Sequence, residues 1–539
     1  MQRKKQNFIE GAFILLLANL LVKVIGALFQ VPLKNLIGAD FPAFGLFSIA
    51  YRIYIAMLVI STVGLPASLS KMVAEATALG REHEVRRIVR VAAAIFVPLG
   101  AVSSLVLFFG AGPISEMMHN ADVRLSLMAI APSVLMVSIL SVYRGYYQGR
   151  SNMVPTAVSQ VIEAIGKLFV GLGCAYFAMG HGMSAPVVAA MTVLGVTMGE
   201  VVAALYMIVQ GMLNTRRAHK VVALSDVVRP TGALCKTLLS LTIPITISSA
   251  VMSVTDLIDA TVIVFRLQDA FGMTQDAANT VYGVYTGMAV NFFNLPQTLI
   301  TALSVSVLPT IAAANISQNF TKVSRTMATT FRMTMLITLP AGAGFLILSQ
   351  PILRLLYSSD TVLGGQLLAI LGVAVPFVAI VAITNAMLQA LGRADLPLIS
   401  MFLGALVKLF ADYYLLGHPS IQIAGAPIST VLCYALIAAI NLFHIGRLTH
   451  ALPPLGKTLV RPLAATIGMS AATLITFRVL TNLLSAAPAS AADKLITVFS
   501  IAVAGVVYVL LLLGLRAVDR EDVTLLPQGE KIANLLRLK

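Results

Sequence analysis

Residues 361–390 read TVLGGQLLAILGVAVPFVAIVAITNAMLQA, and this run contains no charged side chain. A helix needs about 20 apolar residues to cross a bilayer, whereas a strand of a membrane barrel shows about 10 alternating residues. The run therefore predicts a membrane-spanning helix. It is one of fourteen apolar segments, at 9–31, 43–68, 88–110, 124–147, 155–179, 185–211, 236–264, 279–306, 326–349, 361–390, 396–416, 423–446, 460–483 and 494–516.

The composition of the 539-residue chain excludes most other classes of protein. Hydrophobic residues make up 58% of the chain and charged residues only 11%, whereas a soluble domain is about a quarter charged. Water-soluble enzymes, disordered chains, collagens and coiled coils are therefore excluded. The sequence predicts an all-α polytopic membrane protein with fourteen transmembrane helices.

The distribution of Lys and Arg predicts the orientation in a cell membrane. An N-terminal cluster, Arg3 to Lys5, precedes an apolar stretch from Phe8 that is too long for a signal peptide. With this end in the cytoplasm and fourteen crossings, most of the 37 basic residues fall on the cytoplasmic side, as the positive-inside rule requires. Both termini are then cytoplasmic. The net charge of +15 has the same origin, so we expect no nucleic acid as a partner.

Four weak matches between the halves of the chain predict an internal repeat. In the same order, Phe44–Phe47 matches Tyr282–Tyr285, Gly149-Arg150 matches Gly392-Arg393, Lys167–Phe169 matches Lys408–Phe410, and Ala185-Pro186 matches Ala426-Pro427. Six helices per copy keep both copies in the same orientation. We expect two pseudo-symmetric six-helix lobes, at 1–220 and 221–450, and a third region at 451–539 with two helices and a cytoplasmic tail.

Ionisable side chains inside predicted helices are candidate sites, because each costs at least about 2.5 kcal/mol at mid-bilayer. Glu163 precedes Lys167 by one turn, and Lys408 precedes Asp412 by the same spacing. The two lobes are thus predicted to carry matched Lys–carboxylate pairs, for substrate binding or for structure alone. Glu200 is an isolated acid that could pair with Lys167 instead.

Helix 7 carries a second kind of candidate. Asp256 and Asp259 lie three residues apart, with Arg266 at the helix end. Such an acid pair can bind a proton or Na⁺, or it can face water at the helix end.

Lys23 in helix 1 and Arg52 in helix 2 point to an anion. No acid lies within a turn or two of either along the sequence. Two cations on adjacent helices would bind a phosphate, and the planar fork of Arg suits phosphate oxygens. The alternative is that backbone carbonyls or acids of other helices satisfy both cations.

Several short motifs resemble those of the polysaccharide-biosynthesis branch of the multidrug/oligosaccharidyl-lipid/polysaccharide flippase superfamily. They are Leu21–Gly26, Pro32-Leu33, Leu36–Gly38, Phe44–Phe47, Gly64–Lys71, Gln148–Pro155 and Gln389–Pro397. The match is best to the group of sporulation stage V protein B and the lipid II flippases, and it covers nearly the whole chain. The resemblance implies two six-helix lobes with alternating access, and a cavity whose cations on helices 1 and 2 correspond to Lys23 and Arg52.

The function that this resemblance implies is to flip an undecaprenyl-pyrophosphate-linked oligosaccharide from the inner to the outer leaflet. Arg266 and Lys408 would join Lys23 and Arg52 around the pyrophosphate, with Lys167 as a further candidate. Glu163, Glu200, Asp256, Asp259 and Asp412 would serve ion coupling, with H⁺ or Na⁺ as the ion. We expect a monomer whose partners are the lipid-linked glycan and membrane lipid.

Two other functions remain open from the sequence. A cation-coupled antiporter of drugs or metabolites would share the superfamily fold. Glu163 and Glu200 are consistent with it, whereas Lys23 and Arg52 count against it. An integral-membrane glycosyltransferase or ligase would need a sizeable outer loop, which the sequence lacks. No nucleotide-binding, zinc-protease or paired-cysteine motif occurs, so we expect no catalytic residues, no metal and no cofactor.

Overall fold

The structure is a computed structural model that describes residues 8–38, 42–59, 64–218, 229–316, 318–357, 361–393, 395–449, 456–483, 489–515 and 517. Every regular element in these ranges is a helix, which confirms the all-α class. The chain divides into two compact units, Met1–Gly283 and Val284–Lys539.

The first unit contains ten helices within the described ranges, joined by short turns. They are α1 (Phe8–Ile37), α2 (Ala43–Leu58), α3 (Gly64–Ala78), α4 (Glu82–Phe109), α5 (Ala111–Met117), α6 (Arg124–Gly149), α7 (Val154–Gly180), α8 (Ala185–Ala218), α9 (Thr231–Phe271) and α10 (Gln275–Val284). A 3₁₀ turn, Ala121–Val123, leads into α6.

The second unit begins with a π-helical turn, Tyr285–Val290, that continues α10. Its further helices are α11 (Asn291–Ile316), α12 (Phe320–Leu356), α13 (Val362–Ala390), α14 (Asp395–Leu416), α15 (Gly425–Thr449), α16 (Arg461–Leu483) and α17 (Ala489–Gly514). Helix α12 is kinked at Leu348, between two internal prolines, Pro340 and Pro351. Proline removes a helix hydrogen bond and displaces the preceding turn, which explains the kink.

All fourteen predicted apolar segments fall on helices, and ten of the described helices are long and apolar enough to cross a membrane. The predicted segments outside this set of ten are 9–31, 43–68, 236–264 and 279–306. Segment 43–68 is divided between α2 and α3, and segment 279–306 between α10, the π-helical turn and α11. The prediction of a multi-pass membrane protein is therefore confirmed, while the number of fourteen crossings remains a prediction.

The helices differ in how much of their surface is buried, and the surface that stays exposed is suited to lipid. In α6, α8 and α13, 61% of the most apolar 18-residue stretch is buried inside the protein, whereas in α7 and α16 only 22% of that stretch is buried. The exposed remainder is apolar, as Phe169 and Tyr176 on α7 and Ile475 on α16 show. Exposed apolar surface of this extent is unfavourable in water and favourable against acyl chains. The central helices of each unit thus carry the protein-facing core.

Helices α9 and α10 belong to the first compact unit, although the predicted lobe boundary at 220/221 assigns them to the second. An ion pair before α9 and hydrogen bonds on α10 connect these two helices to the rest of the first unit. Before α9, Arg229 forms an ion pair with the fully buried Glu84. On α10, Asn279 accepts a hydrogen bond from the Asn120 amide at 2.6 Å, and the Gln275 amide donates to Asn120 at 3.0 Å. The division into regions 1–220, 221–450 and 451–539 remains a prediction.

A glycine crossing joins α2 to α10. A Cβ on Gly45 would lie 1.9 Å from the backbone oxygen of Asn279, and one on Gly283 would lie 2.9 Å from the nitrogen of Gly45. No larger residue fits at this crossing unless the helices separate. The same two glycines are equivalent in the predicted repeat, so matched positions of the two copies meet here.

Glycines also bring α7 and α8 into backbone contact. On α8, Gly195 and Gly199 have the small-xxx-small spacing that lets membrane helices approach closely. A Cβ on Gly166 of α7 would lie 2.4 Å from the Cα of Gly199, and one on Gly199 would lie 2.7 Å from the backbone oxygen of Glu163. This approach places Glu163 directly beside the residue that follows Gly199, which is Glu200.

We expect Gly199→Ala to lower the stability of the protein, because its methyl group must separate two backbones. Overpacking of this kind costs about 1–3 kcal/mol. Gly173→Ala on α7 is the matched control, since its Cβ would have nothing within 4 Å, and alanine favours the helix by about 0.5–1 kcal/mol. The measurement is the apparent melting temperature of each purified variant in detergent. Equal values for the two variants would show that the glycine contact is not tight.

Candidate functional site

Lys167 on α7 lies between two aromatic rings of neighbouring helices. Its Nζ is 4.1 Å from the ring centroid of Tyr51 on α2 and 4.9 Å from that of Phe29 on α1. Phe47 stacks on Tyr51 at 5.8 Å with an angle of 10° between the planes, which holds the Tyr51 ring in place. The negative faces of the rings attract the ammonium group and retain it without neutralising its charge.

The predicted pair of Glu163 with Lys167 is wrong. The carboxylate of Glu163 accepts a hydrogen bond from the guanidinium of Arg144 on α6 and forms an ion pair with it. Arg144 Nε also donates to Ser159 Oγ at 3.0 Å, one turn before Glu163. One-turn spacing allows two side chains on a helix to meet, but a partner from another helix can compete. Here Arg144 supplies two directed N–H groups, and Lys167 remains on the rings.

The predicted pairing of Glu200 with Lys167 is also wrong. Glu200 on α8 is 6% exposed, and the hydroxyl of Tyr54, which is 3% exposed, donates to its Oε1 at 2.7 Å. The Glu200 carboxyl also lies within hydrogen-bonding range of the Glu163 carboxyl and within the electrostatic reach of Arg144. Four helices thus contribute to one polar cluster: Tyr54 from α2, Arg144 from α6, Glu163 from α7 and Glu200 from α8.

The two cations predicted to bind an anion lie on the helices that hold Lys167. Arg52 is half-buried on α2, next to Tyr51, and it interacts with other groups of the protein. Lys23 lies on α1, about 9 Å along the helix axis from Phe29 at 1.5 Å per residue. The side chain of Lys23 is outside the described part of the chain.

The candidates on α9 are not brought together with this cluster by any described contact. Arg266 Nη1 forms an ion pair with Asp269 Oδ2 at 2.5 Å, one turn along the same helix. Asp259 is buried and interacts with other groups, while the side chain of Asp256 is outside the described residues. A role for Arg266 in substrate binding therefore remains a prediction, and its charge already has a partner.

The predicted pair in the second unit is confirmed, and it belongs to a buried hydrogen-bond network. Lys408 Nζ lies 3.6 Å from Asp412 Oδ2 on α14. It also donates to Thr430 Oγ1 at 2.9 Å and to Ser429 Oγ at 3.3 Å on α15, and Ser429 donates to Asp412. Lys408 is 3% exposed and Asp412 is fully buried. The two repeat-equivalent lysines therefore differ: Lys408 has its charge neutralised, whereas Lys167 faces aromatic rings.

The sequence did not identify Tyr51, Tyr54 and Arg144 as members of the site. All three lie on helices of the first unit, Tyr51 and Tyr54 on α2 and Arg144 on α6. One available signal was the small-xxx-small motif at 195–199 immediately before Glu200, which predicts a close helix partner for that acid. Among the described residues, no group of three or more His, Cys, Asp or Glu side chains could hold a metal ion.

Comparison with known proteins gives two family matches. A model described as polysaccharide biosynthesis protein matches residues 8–315, and one described as MatE matches residues 285–414. Both matches include residues of the helices described above, and the first includes the whole cluster around Lys167 and Glu200.

Three proteins of Bacillus subtilis (strain 168) are similar over most of the chain. The uncharacterized membrane protein YabM is 24% identical over 98% of this chain and 96% of its own length. Stage V sporulation protein B is 26% identical over 83% of this chain and 85% of its own, and the lipid II flippase MurJ is 23% identical over 79% and 80%.

Solved structures show the same fold. A lipid II flippase MurJ in an inward closed conformation has a TM-score of 0.65 at 15% identity and covers 92% of this chain and 97% of its own. An inward-facing multidrug resistance MATE family transporter of the MOP superfamily has a TM-score of 0.64 at 16% identity, covering 80% and 97%. The similar proteins whose names state an activity are flippases and transporters, not enzymes.

We expect the Arg144–Glu163 ion pair to be energetically coupled. Arg144→Gln leaves Glu163 in a half-buried site without its cation and should destabilise the protein by about 1–3 kcal/mol. Adding Glu163→Gln should restore part of that loss, since a neutral amide needs no cation. Melting temperatures of the two single variants and the double variant measure the coupling. Arg393→Gln, which breaks an exposed pair with Asp395, should leave the melting temperature unchanged. Strictly additive effects at 144 and 163 would contradict the pairing.

Proposed function

Because the chain belongs to the polysaccharide biosynthesis protein family, we propose that it flips an undecaprenyl-pyrophosphate-linked oligosaccharide across the cytoplasmic membrane. The observation that supports this proposal most directly is the environment of Lys167. Among the described side chains, no carboxylate lies within ion-pairing distance of its Nζ, and two ring faces hold it. Its charge is therefore free to meet an anion.

The chemistry of the cargo explains why such a cation is needed. A pyrophosphate that crosses about 30 Å of hydrocarbon must exchange its hydration for protein groups. Burying an uncompensated charge costs several kcal/mol. A lysine held by ring faces has lost part of its own hydration and keeps its full charge, so it can compensate the phosphate at a lower desolvation cost. The sugars would remain in water, and the polyprenyl chain would remain in the bilayer.

Arg52 and Lys23 are the proposed additional cations. Arg52 follows Tyr51 on α2, and Lys23 precedes Phe29 on α1. Each of these cations therefore lies on the same helix as one of the two aromatic rings that contact Lys167. Three cations on α1, α2 and α7 would suit the several charges of a pyrophosphate. Lys408 is a weaker candidate, because its ammonium is buried and bonded to Asp412, Ser429 and Thr430.

A cation-coupled antiporter is the second candidate function. The Tyr54–Glu200 hydrogen bond and the neighbouring Glu163 favour it, since they form the kind of buried acidic site that binds a coupling ion. The shared fold with MATE family transporters is compatible with this activity, but a shared fold does not specify a substrate. Depleting the protein separates the two functions. Loss of lipid-linked precursor from the outer leaflet supports flipping, whereas unchanged precursor with drug hypersensitivity supports the antiporter.

We expect Lys167→Gln to abolish complementation of a flippase-deficient strain at wild-type protein levels, because the anion loses its ring-held cation. Lys167→Arg should retain part of the activity, since the charge and the contact with the rings survive. Arg52→Ala should also fail, and Arg52→Lys should work in part. Lys71→Gln, an exposed lysine on α3, is the matched control and should complement fully. Full complementation by both Lys167→Gln and Arg52→Ala would contradict the proposed anion site.

The proposed topology has fourteen crossings, two lobes related by a pseudo-twofold axis, and both termini in the cytoplasm. In a variant without its three native cysteines, Met117→Cys at the end of α5 should react with an impermeant thiol reagent added to intact cells. Met117 is 82% exposed, whereas the adjacent Met118 is 6% exposed and would label poorly. Leu79→Cys, at a position 65% exposed in the α3–α4 turn, should react only after the membrane is permeabilised. The reverse pattern would invert the orientation.

A further inference from the structure

Glu200 is the most deeply buried ionisable group of the polar cluster in the first unit. The proposed binding of an anion at Lys167 does not involve it. Its Oε1 accepts the hydrogen bond from Tyr54, while its Oε2 is buried and has no hydrogen-bond donor among the described groups. An ionised carboxylate oxygen without a donor is costly in such a place. A carboxyl group that carries a proton on this oxygen would itself be a donor.

The acceptor for that proton is the neighbouring acid. The contact of Gly166 with Gly199 places the Glu163 backbone against α8, one residue before Glu200, and the two carboxyl groups lie within hydrogen-bonding range. Two ionised carboxylates both accept and neither donates, so their contact is a hydrogen bond only when one of them is protonated. Like charges at this distance also disfavour a second ionisation.

The surrounding charges allow one negative charge but not two. From α6, Arg144 pairs with Glu163. From α2, Tyr54 donates its single proton to Glu200, and Tyr51 lies one turn away against Lys167. The 3₁₀ turn before α6 also packs on α8, but its Asp122 bonds Gln275. One guanidinium thus faces two acids, and a proton is the missing compensation.

We propose that Glu163 and Glu200 share one proton, and that loss of this proton weakens the binding of an anionic headgroup at Lys167. The second part rests on the proposed function. Lys167 lies one turn after Glu163 on α7, and Tyr51 and Tyr54 on α2 contact Lys167 and Glu200 respectively. When Glu200 ionises, the unbalanced charge attracts the ammonium of Lys167 away from the rings and repels the anion. Proton and anion therefore bind together.

Infrared titration of the ligand-free full-length protein in nanodiscs tests the shared proton independently of any substrate. The carbonyl absorption of a protonated carboxylic acid should be present at low pH and disappear as pH rises between about 5 and 9. Both Glu200→Gln and Glu163→Gln should remove this absorption change, because the proton needs both acids. Glu75→Gln, at an exposed position on α3, should retain it. An absorption that persists in Glu163→Gln would overturn sharing, and its absence from the wild type would overturn the proton itself.

Binding of farnesyl diphosphate to the same nanodiscs tests the coupling. Relative to Glu200→Gln, the affinity of the wild type should fall with rising pH by no more than about tenfold per unit, as for one linked proton, and the wild type should take up more protons, as seen in how the calorimetric heat varies with the buffer. In Glu200→Gln the neutral amide resembles the protonated acid, so this variant should keep only the pH dependence that comes from ionisation of the ligand's terminal phosphate. A wild type whose affinity depends on pH in the same way as that of Glu200→Gln would overturn the coupling.

The uncharged alcohol farnesol is the ligand control and should show no proton uptake. Failure of farnesyl diphosphate to bind at any pH would overturn the proposed function and the coupling while leaving the infrared result for the shared proton intact. The two failures are therefore distinguishable.

Discussion

The backbone contact between α7 and α8 determines the polar chemistry of the first unit. Because Gly166 and Gly199 lack side chains, the two helices approach until Glu163 and Glu200 lie side by side. Two acids at this distance require partners from outside their own helices. Arg144 from α6 and Tyr54 from α2 supply them, and Lys167 is left to the rings of Phe29 and Tyr51. One steric constraint thus leads to an acid cluster and a separate cation within a few turns of each other.

The two units use similar residues in different ways. In both, a lysine and a carboxylate lie one turn apart on a helix that follows the same short sequence motif. In the second unit, Ser429 and Thr430 on α15 accept hydrogen bonds from Lys408, which also pairs with Asp412. The Lys408 ammonium is therefore already bonded and almost fully buried, which leaves a ligand little access to it. In the first unit the charges are separated, because Arg144 pairs with Glu163 while Lys167 lies against two aromatic rings. We infer that recognition is concentrated in the first unit and that the second-unit network stabilises its helices.

The sequence predicted the helices well, because membrane helices follow from the length of an apolar run alone. It also predicted the Lys408–Asp412 pair, for which one-turn spacing was sufficient. It failed at Glu163 and Lys167, where the same spacing occurs, because Arg144 lies nineteen residues away along the chain and reaches Glu163 from another helix. Local periodicity contains no information about which helices become neighbours. Tyr54 was missed for the same reason, since its partner Glu200 is distant in sequence and only the fold brings them together.

Selectivity of transport for a lipid diphosphate tests the central claim most directly. The purified protein would be reconstituted into liposomes, and the movement of fluorescent polyprenyl glycolipids between leaflets would be followed by their accessibility to an impermeant quencher. The glycan and the lipid chain would be the same throughout, and only the linkage would differ, being a diphosphate, a monophosphate or an uncharged ether. If a ring-held cation recognises the headgroup, the diphosphate lipid should move fastest and the uncharged lipid at the rate of protein-free liposomes. Equal rates for the diphosphate and the uncharged lipid would contradict the account.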